Sequence, residues 1–131
     1  MSNATNFLET AVLDHVLGNT AFTQPTTLYV GLLTAVSDGE AGSWTEVSGT
    51  NYARTAVTFG AASSGTATNS ADVEFPAAGS GGWGTITHIF ITPDSTGGST
   101  PYFYGSLSAS RAVDEADIMT FVAGNISISL A

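Results

Sequence analysis

The stretch GTITHIFIT, from Gly84 to Thr92, has the strongest β-strand character in the chain. It is built from β-branched and aromatic residues, which pack well on a pleated surface. The last apolar stretch, ISISL at residues 126–130, alternates apolar and polar side chains without a break. Such alternation is typical of an antiparallel strand with one buried and one solvated face. Both patterns indicate a protein whose core is built from β-sheet.

Similar β-forming runs occur on both sides of Gly84–Thr92. They cover residues 28–33, 52–59, 72–75, 102–107 and 118–122. Clusters of Gly, Ser, Thr and Asp separate the runs, and these are turn-forming residues. We interpret the longest separator, residues 37–50, as an extended loop. The sequence therefore predicts a mainly β fold, an antiparallel β-sandwich or a partly closed barrel of about seven strands.

A single helix is predicted before the first strand. Asn6 is suited to be its N-cap, with Glu9 three residues later as in a capping box, although Ser2 or Asn3 could serve instead. Gly18 ends the pattern, because glycine readily adopts the left-handed conformation of a helix terminus. We expect a helix over residues 6–17 and a β domain over 27–131, together one domain spanning 1–131.

The predicted helix carries an apolar stripe that needs a partner. The stripe consists of Leu8, Val12 and Val16, spaced four residues apart. A helix this short is marginal alone, because nucleation is costly and few hydrogen bonds follow. The stripe either covers a face of the chain's own sheet or packs against a neighbouring copy or another partner protein. In the second case these three residues form an interaction surface.

The charge balance excludes several classes of protein. Two basic residues, Arg54 and Arg111, face eleven acidic ones, which gives a net charge of −9. Neither nucleic acid nor an anionic membrane surface is an expected partner, because both are bound through Lys and Arg. The chain has no Cys, and therefore no disulfide or thiolate metal site. We see no signal peptide and no apolar run of the roughly 18 residues that a membrane span needs.

Few residues suggest chemistry. His15 and His88 lack metal-ligand spacing, and we interpret both as structural. The densest acidic group, Asp114, Glu115 and Asp117, lacks the glycine-punctuated loop of calcium sites, so a solvated turn is favoured over cation binding. We name no catalytic, cofactor-binding or metal-ligating residue and expect no enzyme activity and no cofactor.

The strand edges point to an assembly. Strands ending in Leu33, Leu107 and Leu130 are neutral and carry no Lys, which commonly protects open edges. Either the barrel closes, or neighbouring subunits cover these edges. We expect a homodimer or trimer.

Four segments resemble a family of small virion proteins encoded by tailed bacteriophages and prophages. They are NFLETAVLDHVLGNTAFTQPTTLYVGLLTA at 6–35, YARTAVTFGAASSGTATNSADVEFP at 52–76, WGTITHIFI at 83–91 and FVAGNISISL at 121–130. Members are labelled as head decoration, minor tail or tail-fibre proteins. The resemblance implies a non-enzymatic virion structural protein without catalytic or cofactor residues.

Two locations in the virion follow from this resemblance. The first is a decoration, or cement, protein that binds the major capsid protein on the outer surface of the capsid and stabilises the shell. The alternative is a tail-fibre or tail-tip module that binds a host surface glycan. Two observations favour the first. The compact single domain with one N-terminal helix has no long shaft repeat. Clustering of aromatic residues, as sugar stacking requires, is limited to Tyr102, Phe103 and Tyr104, and a β-strand core explains this cluster equally well.

Overall fold

A computed structural model describes residues 2–98 and 100–130 of the chain. The fold is mainly β, with 41% strand against 9% helix, which confirms the predicted class. Ten strands and one helix occur in the described residues. In chain order they are β1 (Asn3–Ala4), α1 (Asn6–Val16), β2 (Leu28–Asp38), β3 (Ser43–Glu46), β4 (Thr55–Val57), β5 (Thr66–Thr68), β6 (Val73–Glu74), β7 (Gly84–Thr92), β8 (Phe103–Val113), β9 (Thr120–Phe121) and β10 (Ser127–Ser129).

One large antiparallel sheet forms the body of the molecule. Its strand order is β1-β8-β7-β2-β3, and β4 also pairs with β2. Two small sheets, β5–β10 and β6–β9, form a second layer. In the part of the chain that the structure describes, the large sheet does not close on itself. The sandwich prediction is therefore confirmed, and the alternative of a partly closed barrel is not.

The core lies between the large sheet and the second layer. The large sheet contributes Val30 and Leu32 of β2 and Ile86 and Ile91 of β7, all at most 2% exposed. The second layer and its loops contribute Val73, Phe75, Met119 and Ile126. Because residues from distant parts of the chain meet here, this cluster makes the two layers one hydrophobic core.

The opposite face of the large sheet also buries apolar side chains. Leu33 and Phe90 are fully or almost fully buried, although neither belongs to the central core. Trp44 packs on Phe90, with ring centroids 5.0 Å apart. Gly31 lies opposite Phe90 in the β2–β7 ladder, and a Cβ atom there would overlap the phenylalanine ring. Glycine at this position therefore makes room for the aromatic residue on the neighbouring strand.

The structure corrects three details of the sequence analysis. The N-cap of α1 is Thr5, not Asn6, because its side chain accepts a hydrogen bond from the Leu8 N–H. The predicted loop at 37–50 contains the end of β2 and all of β3, which continue the sheet through irregular pairing. Leu33 does not lie on an open edge, since β2 is flanked by β7 on one side and by β3 and β4 on the other.

The remaining strands differ from prediction mainly in length. Strand β7 has the predicted bounds, whereas β8 continues to Val113, beyond the predicted end at Leu107. The short strands β1 and β5 were not predicted. The single helix, α1, has eleven residues, and no helix of the described residues meets the length and hydropathy needed to cross a bilayer.

Candidate interaction surfaces

A polar network joins three segments on the outer face of the large sheet. The guanidinium of Arg54 donates two hydrogen bonds to the carboxylate of Glu46, both at 2.8 Å. Its third nitrogen donates to the carbonyls of Asp94 and Gly97, also at 2.8 Å. The guanidinium carbon lies 5.0 Å from the centroid of the Phe90 ring. Arg54 therefore links Glu46 of β3 to the loop after β7, which contains Asp94 and Gly97. All three guanidinium nitrogens donate hydrogen bonds within the chain.

Tyr52 completes this network. Its hydroxyl donates to Glu46 at 2.7 Å and accepts from the Leu32 N–H at 3.0 Å. Burial, reinforced by the hydrogen bond to Glu46, raises the pKa of Tyr52 well above its ordinary value. The neutral phenol is therefore the form that the fold requires.

This shift predicts a loss of stability at alkaline pH. In the unfolded chain, the pKa of a tyrosine is about 10. Below that pH, the raised pKa of Tyr52 in the folded chain costs no stability. Above it, the unfolded chain loses the phenol proton and the folded chain keeps it, so the free energy of unfolding falls as the pH rises. Unfolding by urea between pH 8 and 11 should show a decline of up to about 1.4 kcal/mol per pH unit above pH 10. The variant Tyr52→Phe should be less stable at neutral pH and should have a smaller slope. Part of the slope should remain, because burial also raises the pKa of Tyr102. Equal slopes in the two proteins would contradict the assignment.

The two histidines occupy separate local settings. The Nδ1 atom of His15, in the last turn of α1, accepts a hydrogen bond from the Phe22 N–H at 3.0 Å. The Nδ1 atom of His88, in β7, lies 2.8 Å from the hydroxyl of Thr87. Both Nδ1 atoms therefore contact residues that are close in sequence to their own histidine, Phe22 for His15 and Thr87 for His88.

The acidic group near residue 115 forms a turn. The carboxylate of Asp117 accepts a hydrogen bond from the Asp114 N–H at 2.9 Å. Among the described residues, no three His, Cys, Asp or Glu side chains are grouped as a metal site requires. The carboxylate of Asp117 therefore closes the turn between β8 and β9.

The three consecutive aromatic residues do not form one platform. Tyr102 is buried and contacts Phe7 and Phe22, whose ring centroids lie 6.1 and 5.6 Å away. Phe103 packs against the central core, whereas Tyr104 contacts Trp44 on the opposite face of the sheet. Because successive strand residues point to opposite faces, the three rings cannot stack on a single sugar.

Backbone hydrogen bonds join the start of the helix α1 to the body. Thr5 donates from its N–H to the carbonyl of Tyr102 at 2.9 Å, and Asn6 donates likewise to Glu40. Leu8 is the one helical residue that is fully buried among those described. Of the other two residues in the predicted stripe, Val12 is half-buried and Val16 is 70% exposed.

A second apolar face of the helix is exposed. It consists of Leu13, Val16 and Leu17, which we call the helix knob; their exposed fractions are 59%, 70% and 76%. The spacing of three and four residues places them together on one side of the helix end. The periodicity of Leu8, Val12 and Val16 did not identify this face, because Leu13 and Leu17 flank that stripe rather than belong to it.

Two concave surfaces open between the layers. One groove, of about 450 Å³, runs along β8 and is lined on its other side by residues of β9 and β10. Beyond Tyr104 no strand in the described residues pairs with this outer edge of β8, and Arg111 lies on the groove. The second, of about 280 Å³, has an almost wholly apolar lining that includes Leu28, Phe59 and Ile128.

Comparison with known proteins identifies the family. A family model described as podophage GP4 fiber I protein gp80 matches residues 3–129. No curated protein matches the chain. The match covers all three sheets and the helix, so it applies to the whole fold described above. The chain belongs to the podophage GP4 fiber I protein gp80 family, a family of phage virion proteins.

Proposed function

We propose that this chain is a non-enzymatic structural subunit of the fibre of a tailed-phage virion. The match to a fibre protein family over residues 3–129 carries the proposal. The family name supports a location on the appendage, whereas the sequence alone favours the capsid shell. The capsid-decoration hypothesis, with the major capsid protein as partner, stays the competing prediction.

The surface of the molecule supports a structural role. Charged residues make up only 10% of the chain, and the outer edge of β8 lacks a strand partner over most of its length in the described residues. Isolated β proteins usually protect such edges with Lys, which is absent here. A subunit that is covered by neighbours in an assembly does not need that protection.

Immunogold labelling of purified virions tests the location. Antibodies against this chain should label the fibres in electron micrographs, and heads separated from their tails should remain unlabelled. Quantitative mass spectrometry should give a copy number well below that of the major capsid protein. Label spread over the shell of isolated heads, at a copy number matching the capsid subunits, would contradict the proposal and support the decoration role.

A further inference from the structure

The two histidines differ in what their ring nitrogens can bind once they are protonated. The Nδ1 atom of His15 accepts a hydrogen bond from the backbone N–H of Phe22. A backbone N–H can only donate, so this bond exists only while Nδ1 carries no proton. The Nδ1 atom of His88 faces the hydroxyl of Thr87, which can donate or accept. Protonation therefore breaks the first contact, whereas the second can survive with donor and acceptor exchanged.

The bond to His15 fixes the place where the chain leaves the helix. Phe22 lies in the segment between α1 and β2, and its ring contacts Tyr102 edge-on, with centroids 5.6 Å apart. The ring of Phe7, in α1, stacks against the same tyrosine at 6.1 Å. Tyr102 is buried and thus contacts one ring from the helix and one from the segment that follows it.

Little else holds this linking segment in place. Among the described residues, the bond to His15 is the only hydrogen bond formed by residues 21–27. The side chains of this segment are exposed, except for Phe22 and Pro25, which are half-buried. Because Phe22 makes both the hydrogen bond and the ring contact, loss of the first weakens the second.

His15 is the group of this contact that changes charge between pH 5 and 8. Asp14 is the adjacent acid in α1, but the one ion pair found in the described residues involves neither of the two. Residues 18–22 carry no charge. On the side of the body, burial and the nearby Asp94 raise the pKa of Tyr102, so this phenol stays neutral over the same range.

We propose that His15 is a pH-sensitive switch, which holds the segment between α1 and β2 against the body when neutral and releases it when protonated. An ordinary histidine takes up its second proton at about pH 6.5. The Phe22 N–H then loses its acceptor, and the Phe22 ring separates from Tyr102. The end of α1 that carries the helix knob gains freedom, while Thr5 still fixes the start of the helix. The switch uses contacts within one chain and does not depend on where the protein lies in the virion.

Two substitutions at residue 15 separate the hydrogen-bond acceptor from the proton. In His15→Asn, the amide oxygen replaces Nδ1 as the acceptor but does not titrate. In His15→Ala, the helix is preserved and no acceptor remains. His88 serves as an internal control, because Thr87 can accept from a protonated ring and donate to the Leu33 carbonyl, 3.5 Å away.

NMR spectroscopy of the isotope-labelled chain between pH 8 and 5 gives the readout. In the natural chain, the Phe22 amide proton should shift upfield with the same midpoint as the His15 ring. Nuclear Overhauser effects between the Phe22 and Tyr102 rings should weaken by roughly half, since a neutral hydrogen bond changes an equilibrium roughly two- to tenfold. His15→Asn should retain both signals at pH 5, and His15→Ala should show the acidic values already at pH 8.

Four results would overturn the switch. They are a Phe22 amide that does not respond to protonation of His15, ring contacts that persist unchanged at pH 5, a His15→Asn variant that responds as the natural chain does, and a folded His15→Ala variant with the natural signals at pH 8. Equal changes around His88 would show that acid loosens the whole fold, which also contradicts a switch at His15. Should His15→Ala not fold, the natural chain and His15→Asn decide the question.

Discussion

Replacing Arg54 with methionine should lower the free energy of unfolding by about 3 kcal/mol, the lower end of the cost of breaking a buried ion pair. The side chain of Arg54 is only 9% exposed and that of its partner Glu46 is 26% exposed. Methionine retains much of the contact with Phe90 but leaves the carboxylate without its charged partner. It also leaves the carbonyls of Asp94 and Gly97 without a donor. Thermal unfolding should shift downward by roughly 10 °C.

The chain supplies its own control, because it contains one other arginine. Arg111 is exposed and, in the described residues, forms no salt bridge. The variant Arg111→Met should therefore unfold within about 0.5 kcal/mol of the natural chain. Adding Glu46→Gln to Arg54→Met should recover part of the lost stability, because the double variant no longer holds an uncompensated charge. Equal melting of the two arginine variants would show that the network does not hold the loop after β7.

The sequence predicted elements whose pattern is local. Strand β7 was predicted with its observed bounds, because seven of its nine residues are β-branched or aromatic and turn residues flank them. The region 37–50 was misjudged because Asp38, Gly39 and Gly42 are turn-forming residues. They form the tight turn between β2 and β3, and the register shifts beside it disrupt the alternation that marks a strand.

The candidate surfaces were predicted less well than the fold. The sequence indicated that α1 needs a partner, but not which of its faces is exposed, because Leu13 and Leu17 lie beside the stripe that periodicity selects. The second concave surface was not predictable, since its lining joins residues as distant as Leu28 and Leu130. Periodicity reports which side of a strand is apolar, but it does not report whether two layers fill the space between them.

The largest single effect is expected from Phe75→Ala, with a loss of about 3–5 kcal/mol in the free energy of unfolding. Phe75 is 1% exposed and packs against the rings of Tyr52, Trp83 and Phe121, with centroids 6.3–6.4 Å away. Its N–H also donates to the Met119 carbonyl at 2.9 Å. Since domains of this size are stable by only about 5–15 kcal/mol, this loss is a large share of the total.

The position of Phe75 predicts where the damage will appear. It follows β6 and contacts β9, so the cavity left by alanine lies under the small β6–β9 sheet. Hydrogen exchange should therefore accelerate more in β6 and β9 than in β7, which lies inside the large sheet. The milder Phe75→Leu keeps the protein measurable if alanine prevents folding, and Phe7→Ala, at a 41% exposed ring, should cost far less. Uniform acceleration across all three strands would show instead that the two layers unfold as one unit, and that Phe75 does not specifically hold the second layer in place.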